Sequence, residues 1–378
     1  MISRMCRVCG DRICPEPLFQ LENMPGAAQH LPDAAGLAQE RGVDLTVGQC
    51  SACGLVQLDA EPVPYYRDVI RAAGISGVLQ VEKTAQFAAF IDRFGLRGGK
   101  IVEIGCGHGE FLARLPAGEV DAYGLEHDAA AVAVCRARGL TVFPGYPEHG
   151  MAPLPPAPFD AFLLLMFLEH MPDPRASLQA IGGGLSEGAV GIVEVPSFDF
   201  VVRHRLFAEF IGDHLCYFTE QTLRTTLELG GFQVLECGEI RGGYVLSATV
   251  RKRARCDLSA FAAARAKLRA ELHGFLDGLP GGRAAVWGAG HQAFAAIALT
   301  GLAGRLAYVV DSAPFKQGRF TPATHLPIVP PETLRTAPVD GVIVMAGGYS
   351  EEIAAILRRD FEGRMRIAVL RDSGLERL

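Results

Sequence analysis

The sequence predicts an α/β protein in which two doubly wound units follow a small metal-stapled module. Three observations carry this expectation. Cys6-x-x-Cys9 and Cys50-x-x-Cys53 bracket a loop-rich stretch near the start. From Lys100 short apolar strands alternate with helical segments around a glycine-rich turn, and the alternation resumes at Ala284. Finally, 378 residues exceed one ordinary core, and about 150 residues per domain implies two or three. The expected divisions are 1–65, 66–255 and 256–378.

Composition narrows the function classes. Hydrophobic residues at 49% and charged residues at 21% are globular values and exclude a largely disordered chain. A net charge of −6 argues against a nucleic-acid binder, which carries a basic face. Arg251-Lys252-Arg253 is a short cluster that reads as a solvated strand end. The longest apolar run, Ala161 to Leu168, falls far short of the roughly 20 residues that span a bilayer. The opening residues carry no apolar stretch of the signal-peptide kind. A soluble cytoplasmic protein with a small-molecule substrate and no membrane partner is expected.

Two thiolates spaced as Cys-x-x-Cys close on one face of a tetrahedral zinc, and two such pairs complete a four-thiolate site. Gly10 and Gly54 follow the second cysteine of each pair and let the backbone fold tightly around the metal. Two unrelated buried pairs, or a redox Cys-x-x-Cys, are the alternatives; a disulfide scaffold is not indicated. Four thiolates leave no open coordination position, so this zinc builds structure. Cys14 lies outside the pattern. The insert between the pairs, with Pro15, Pro17, Pro25 and Pro32, is not basic. A docking or substrate-covering role is expected for it.

Ile101 to Ile104 reads as a strand entering Gly105-Cys106-Gly107-His108-Gly109, followed by a helical Glu110 to Leu115. Strand, glycine turn and helix start bring backbone N–H groups close to a ligand. The next strand, Asp121 to Leu125, ends at Glu126, an acid about twenty residues past the glycines and placed for ribose hydroxyls. Dinucleotide-binding folds share these features, so a nicotinamide cofactor stays open on them alone. A buried strand, Phe159 to Met166, then precedes Leu168-Glu169-His170-Met171-Pro172-Asp173-Pro174.

That strand with Leu-Glu-His-x-x-Asp-Pro resembles the class I S-adenosylmethionine (SAM) methyltransferases, which suits it better than the nicotinamide reading. The resemblance implies that Glu103, Gly105, Cys106, Gly107 and Gly109 pass under the amino-acid part of SAM. It implies Glu126, with His127 next to it, at the ribose, and Met166 and Phe167 beside the cofactor. Ala189 to Pro196 is a further strand, ending where ligands sit in doubly wound sheets. After it, Asp213-His214 pairs a base with an acid that would orient it or raise its pKa.

Asp257 to Leu279 reads as a bridging helix. Ala284 to His291, Leu306 to Asp311, Gly341 to Met345 and Arg366 to Leu370 mark a second parallel sheet with intervening helices. The loop from Asp311 through Lys316 to Arg319 places two cations near its carboxyl edge. This suits a phosphate or nucleotide sugar, with a solvated loop as the alternative.

Taken in order, the cysteine pairs, the SAM unit, Asp213-His214-Leu215-Cys216-Tyr217-Phe218 and the Lys316-Gln317-Gly318 unit resemble the sugar C-methyltransferase family over nearly the whole chain. Cys53-Gly54-Leu55-Val56-Gln57-Leu58, Arg241-Gly242-Gly243 and Glu351-Glu352-Ile353 support it. The resemblance implies His214 as the base that removes a proton beside a ketone, with His170 assisting and Asp213 and Tyr217 in the same segment. It implies Arg71, Arg241, Gly243, His291, Asp311, Lys316 and Arg319 as substrate contacts.

The chain departs from the family at two points. The family's Tyr-x-Glu-His is here Ile211-Gly212-Asp213-His214. A family tyrosine after the zinc module aligns with Val69-Ile70-Arg71-Ala72-Ala73. The expectation is therefore SAM-dependent carbon methylation of a nucleotide-linked keto-deoxy sugar, differing from the usual branched-sugar precursor. O-methylation of a sugar or small metabolite, and a non-catalytic SAM-binding protein, are the alternatives.

Overall fold

The computed structural model describes residues 5–26, 28, 31–68, 75–361 and 363–378. The chain divides into two compact units, Met1–Ala254 and Arg255–Leu378, both of α/β class. The cysteine pairs and the first large sheet share one unit. No helix among the described residues is long and apolar enough to cross a membrane.

In the first unit β1 (Phe19–Met24), β2 (Val43–Gln49) and β3 (Val56–Leu58) make an antiparallel meander. Helix α1 (Gly77–Phe94) leads to β4 (Lys100–Ile104), β5 (Asp121–Glu126), α2 (Ala129–Ala137), β6 (Thr141–Pro144) and β7 (Phe159–Leu165). There follow α3 (Pro174–Gly183), β8 (Leu185–Pro196), α4 (Phe198–His204), β9 (Cys216–Tyr217), α5 (Glu220–Leu229), β10 (Phe232–Ile240) and β11 (Val245–Lys252). Seven strands pair in the order β10-β11-β8-β7-β4-β5-β6, parallel from β6 through β8 and antiparallel beyond. β9 leaves this sheet and joins the meander beside β3.

Local chemistry fixes the element starts. The Asp-Pro of the Leu-Glu-His-x-x-Asp-Pro segment is a helix start: Asp173 accepts from the Ala176 N–H, and Pro174 is the first residue of α3. Asp128 caps α2 through the N–H groups of Ala130 and Ala131. The helix expected over Glu110 to Leu115 is only a 3₁₀ turn, Leu112–Arg114. Pro116 follows at once and cannot continue a helical hydrogen-bond ladder.

Alternation along the strands divides the core into two layers. Ile101, Leu163 and Ile192 face Phe87 and Ile91 of α1 and Val132 of α2. Val102, Phe162 and Val193 face Leu178 of α3 and Leu223 of α5. One buried polar group interrupts the α1 layer. The Lys83 ammonium donates to the Glu194 carboxylate on β8, which also accepts from Gln86 at 2.7 Å and Ser247 at 3.3 Å. The two charged side chains are only 4% and 2% exposed.

The second unit runs α6 (Ser259–Asp277), β12 (Ala284–Trp287), α7 (His291–Thr300), β13 (Leu306–Val310), β14 (Ile328–Val329), α8 (Thr333–Thr336) and β15 (Gly341–Val344). It ends with α9 (Ser350–Phe361), β16 (Arg366–Arg371) and β17 (Gly374–Arg377). Its sheet order is β14-β13-β12-β15-β16-β17, with only β17 antiparallel. The four expected strands are present. β14 and β17 add short edges that the apolar pattern did not mark.

Breaking a buried ion pair on one side strands the other charge. Lys83→Met should destabilise the first unit by about 3–5 kcal/mol. Adding Glu194→Met should recover much of that loss. Urea unfolding of both variants checks the sign of the coupling.

Candidate active site

The chain order reverses between β4 and β7, so their carboxyl ends frame the crevice in which doubly wound sheets bind ligands. The glycine loop leaves β4 with Gly105 at φ +67, Gly107 at φ +53 and Gly109 at φ +80, backbone that L side chains rarely adopt. At Gly105 an added Cβ would lie 2.4 Å from the Phe167 ring, and at Gly109 2.4 Å from Leu140. The loop thus needs glycine both for its turn and for its close packing. Glu126, 1% exposed, fastens the loop to β5: it accepts from the Gly107 N–H at 2.7 Å and the Asp128 N–H at 2.9 Å. Glu103 and Cys106 are fully buried beneath the loop, and His127 is exposed. Met166 stands at φ +54, its N–H bonded to the Glu194 carbonyl at 2.8 Å, which turns the chain from β7 toward Phe167.

After Phe167 comes the 3₁₀ turn Leu168–His170. His170 donates from Nδ1 to the Asp213 carbonyl at 2.8 Å, which leaves its Nε2 as the acceptor. The His170 and His214 rings meet edge to face with centroids 4.8 Å apart. Burial lowers the pKa of His170, and burial together with the neighbouring His170 lowers that of His214 to about 3. Both rings are therefore neutral at physiological pH. Glu169 completes the group. One ligand atom from each of Glu169, His170 and His214 lies within 4.8 Å of the others.

Asp213 does not serve the His214 ring as expected. Its carboxylate accepts from the Tyr65 hydroxyl at 2.7 Å and from the Ala28 N–H at 3.2 Å. Tyr217 also has a local role. Its hydroxyl accepts from the Ile211 N–H at 3.2 Å and faces the Ile211 carbonyl at 3.4 Å, fixing the turn that carries His214. Tyr65 is a residue the sequence reading missed. It supplies a hydroxyl to this segment, although the family position it was sought at, Arg71 and its neighbours, lies outside the described residues. The sequence signal was the Tyr65-Tyr66 doublet just after Pro64. Tyr146 was missed as well; it packs edge to face on Phe167 at 6.0 Å and on Tyr66 at 5.6 Å.

The four knuckle cysteines converge, with all four Sγ atoms within 4.8 Å of one another. Cys6 Sγ is 3.6 Å from Cys53 Sγ, and Cys9 Sγ 3.4 Å from Cys50 Sγ. The Val8 N–H points at Cys6 Sγ, and the Ala52 and Cys53 N–H groups at Cys50 Sγ, each at 3.4 Å. Burial pushes the Cys6 thiol up to about 11. At Cys50 those backbone donors and the neighbouring cysteines outweigh burial and bring it to about 7. Sulfur ligands at this spacing, each pair met by N–H donors, fit a tetrahedral metal.

In the second unit a cavity of about 590 Å³ lies at the carboxyl edge, lined by Gly288, His291, Asp311, Lys316, Met345 and Glu352 among others. Asp311 accepts from the Ala289 N–H at 2.8 Å, the Ala313 N–H at 2.8 Å and Lys316 Nζ at 2.9 Å. Burial pushes this acid up, but those partners outweigh it and hold it below the ordinary carboxylate value. Arg319 is exposed and does not line the cavity. In the first unit Arg241 lies 3.9 Å from Glu82, and Gly243 packs tightly below Arg203 and Phe200. Among the described residues no hydrogen bond or ion pair joins either of them to the histidine pair.

Residues 80–237 match the family model described as a methyltransferase domain, and residues 252–369 that of the C-methyltransferase C-terminal domain. The C-methyltransferase NovU of Streptomyces niveus is 23% identical over 391 aligned positions, covering 92% of this chain and 90% of that protein. Among solved structures, an S-adenosylmethionine-dependent methyltransferase from Clostridium acetobutylicum aligns at 12% identity and TM-score 0.39, over 46% of this chain and 92% of its own. Magnesium protoporphyrin IX methyltransferase from Synechocystis PCC 6803, with bound SAH, aligns at 16% identity and TM-score 0.38, over 49% of this chain and 90% of its own.

Gly105→Ala would place a methyl group against the Phe167 ring on backbone that disfavours it. Affinity for S-adenosylhomocysteine should fall at least about tenfold, the equivalent of roughly 1.4 kcal/mol. Titration calorimetry on the folded variant checks this.

Proposed function

Because the chain belongs to the SAM-dependent C-methyltransferases, we propose that it methylates the carbon beside the ketone of a nucleotide-linked keto-deoxy sugar, with His214 as base. The observation that carries this reading is His214 itself: partly buried, neutral, and set edge to face against a second neutral imidazole whose Nδ1 is fixed by a backbone carbonyl. A neutral ring has a lone pair to accept a proton, and a carbonyl neighbour makes a C–H acidic enough to give one up. SAM, cradled by the Gly105 to Gly109 loop, supplies an electrophilic methyl when bound. The turn fixed by Tyr217, and the Asp213 carboxylate fixed by Tyr65, hold His214 in one position, the main requirement of such a transfer.

In this reading residues 1–65 are a zinc module, 66–255 the methyltransferase domain and 256–378 the unit that takes the nucleotide. The Asp311–Lys316 pair, at the edge of the 590 Å³ cavity, supports that last assignment. The site fits a zinc held by Cys6, Cys9, Cys50 and Cys53 in a structural role. The reading places the protein in the cytoplasm, where thiolates stay reduced.

The test of the reaction is mass spectrometry of product formed from labelled SAM and a panel of nucleotide-linked 4-keto sugars and their 4-hydroxy counterparts. Methylated keto sugar with its carbonyl intact is the expected outcome. Label on the hydroxy sugars would mean O-methylation and overturn the enolate route. His214→Ala should lower turnover by about 100-fold or more, on the scale of general-base catalysis, with S-adenosylhomocysteine affinity unchanged; wild-type turnover would remove His214 as base. For the metal, elemental analysis should find about one zinc per chain. Cys50→Ser should lower the melting temperature more than it lowers turnover per folded molecule.

A further inference from the structure

Removing a proton beside a ketone moves charge onto the carbonyl oxygen, and the transition state needs a donor aimed at that oxygen. In the His214 segment the family's tyrosine position is Ile211, whose side chain has nothing to donate. Tyr65 gives its hydroxyl to Asp213, and the Tyr217 hydroxyl is bound to the Ile211 backbone. The proposed reaction leaves one polar group of this cluster without a task. Glu169 is 2% exposed, its Oε2 is buried with no hydrogen-bond partner, and its Oε1 stands 3.9 Å from His170 Nε2. Among the described residues no lysine or arginine pairs with it. Its backbone is held as well, since the Glu169 carbonyl accepts from the Leu215 N–H at 2.9 Å, next to His214.

We propose that Glu169 is the hydrogen-bond donor to the enolate oxygen formed when His214 removes the substrate proton. The proposal rests on the reading of His214 as base and deepens it. The Glu169, His170 and His214 side-chain atoms lie within 4.8 Å of one another, so a ketone whose α-C–H meets His214 carries its oxygen, two bonds away, within reach of the Glu169 carboxyl. Burial raises the Glu169 carboxyl to about 8, so at neutral pH it carries the proton a donor needs. A buried carboxylic acid kept neutral for this purpose is a known solution to enolate stabilisation. The other titratable groups around it are the His170 and His214 rings, the Cys216 thiol and the Tyr244 phenol. All of these are neutral at pH 7, so none supplies a charge that would ionise it.

The step balances without an added reagent. The His214 lone pair takes the proton, the C–H electrons become the enolate C=C, and the carbonyl π pair moves to oxygen, which accepts from the Glu169 O–H. The enolate carbon then bonds the methyl as its bond to sulfur breaks, with that pair left on sulfur. The carbonyl re-forms, Glu169 keeps its proton, and His214 releases the one it took.

The experiment measures exchange of the α-proton of a nucleoside diphosphate-linked 4-keto-6-deoxyhexose in D₂O with S-adenosylhomocysteine bound, together with methyl transfer across pH 5–10. Wild-type activity should be flat below pH 8 and fall above it, as the carboxyl ionises with its pKa of about 8. Glu169→Leu should lower kcat and exchange by about 100-fold or more with KM little changed. Glu169→Gln, which keeps a donor and cannot ionise, should retain activity within about tenfold and lose the alkaline fall. Wild-type exchange in Glu169→Leu, or an unchanged alkaline fall in Glu169→Gln, would overturn the proposal. If Glu169→Leu does not fold, the pH profile of Glu169→Gln decides alone. An inactive His214→Ala beside wild-type Glu169 variants would sink this inference and leave the base standing. Wild-type exchange in His214→Ala would remove both.

Discussion

The pairing of β3 with β9 is the constraint on which the rest of the first unit depends. Val56 and Gln57 pair with Tyr217 and Cys216, and the Leu58 N–H bonds the Leu215 carbonyl at 3.0 Å. Leu215 in turn donates to Glu169. One run of backbone hydrogen bonds therefore joins the strand after the second cysteine pair to the turn bearing His214, and that turn to the end of β7. Gln57, 2% exposed, continues it toward the first pair by accepting from the Arg7 N–H at 2.9 Å and donating to the Met5 carbonyl at 3.2 Å. A metal held by the cysteines would therefore also fix the histidine, and in the proposed reaction a closed four-thiolate site would act on the base without any chemistry of its own.

Desolvation is the common physical theme of the crevice. Glu169 and His170 are buried and His214 is partly so, and desolvation drives each to its neutral form. A neutral acid beside neutral bases is a poor arrangement for stability and a useful one for moving a proton. The acids that hold structure are treated differently. Glu126, Asp213 and Asp311 each accept hydrogen bonds from backbone N–H groups, which compensates their charge.

The two doubly wound units use the same device at the end of their second strand. Glu126 fastens the Gly105 to Gly109 loop through the Gly107 N–H, and Asp311 fastens the Gly288 to Gly290 turn through the Ala289 N–H. In both the acid braces a turn that contains glycine at positive φ: Gly105, Gly107 and Gly109 in one, Gly288 at φ +125 in the other. They differ in what neutralises the acid. Asp311 has Lys316 at 2.9 Å, and Glu126 has backbone donors. That difference follows from the loop after β13, which carries the lysine back over the strand end.

The sequence by itself determined the layered α/β class, the two sheets, the cysteine tetrad and the glycine loop. Each of these is written in short-range spacing: period-two apolar strands, paired Cys-x-x-Cys, and glycines where φ must be positive. Asp173-Pro174 was legible as part of a motif before its role as a helix cap was visible. Tertiary structure alone decided the membership of the centre. Tyr65 reaches Asp213 across 148 positions, and His170 meets His214 across 44; no local pattern records such distances. Asp213 illustrates the limit most clearly. Its neighbour in sequence is the proposed base, yet the fold turns its carboxylate toward Tyr65 and Ala28. Adjacent side chains on a tight turn diverge, and only the packing of distant segments settles which partner each one meets.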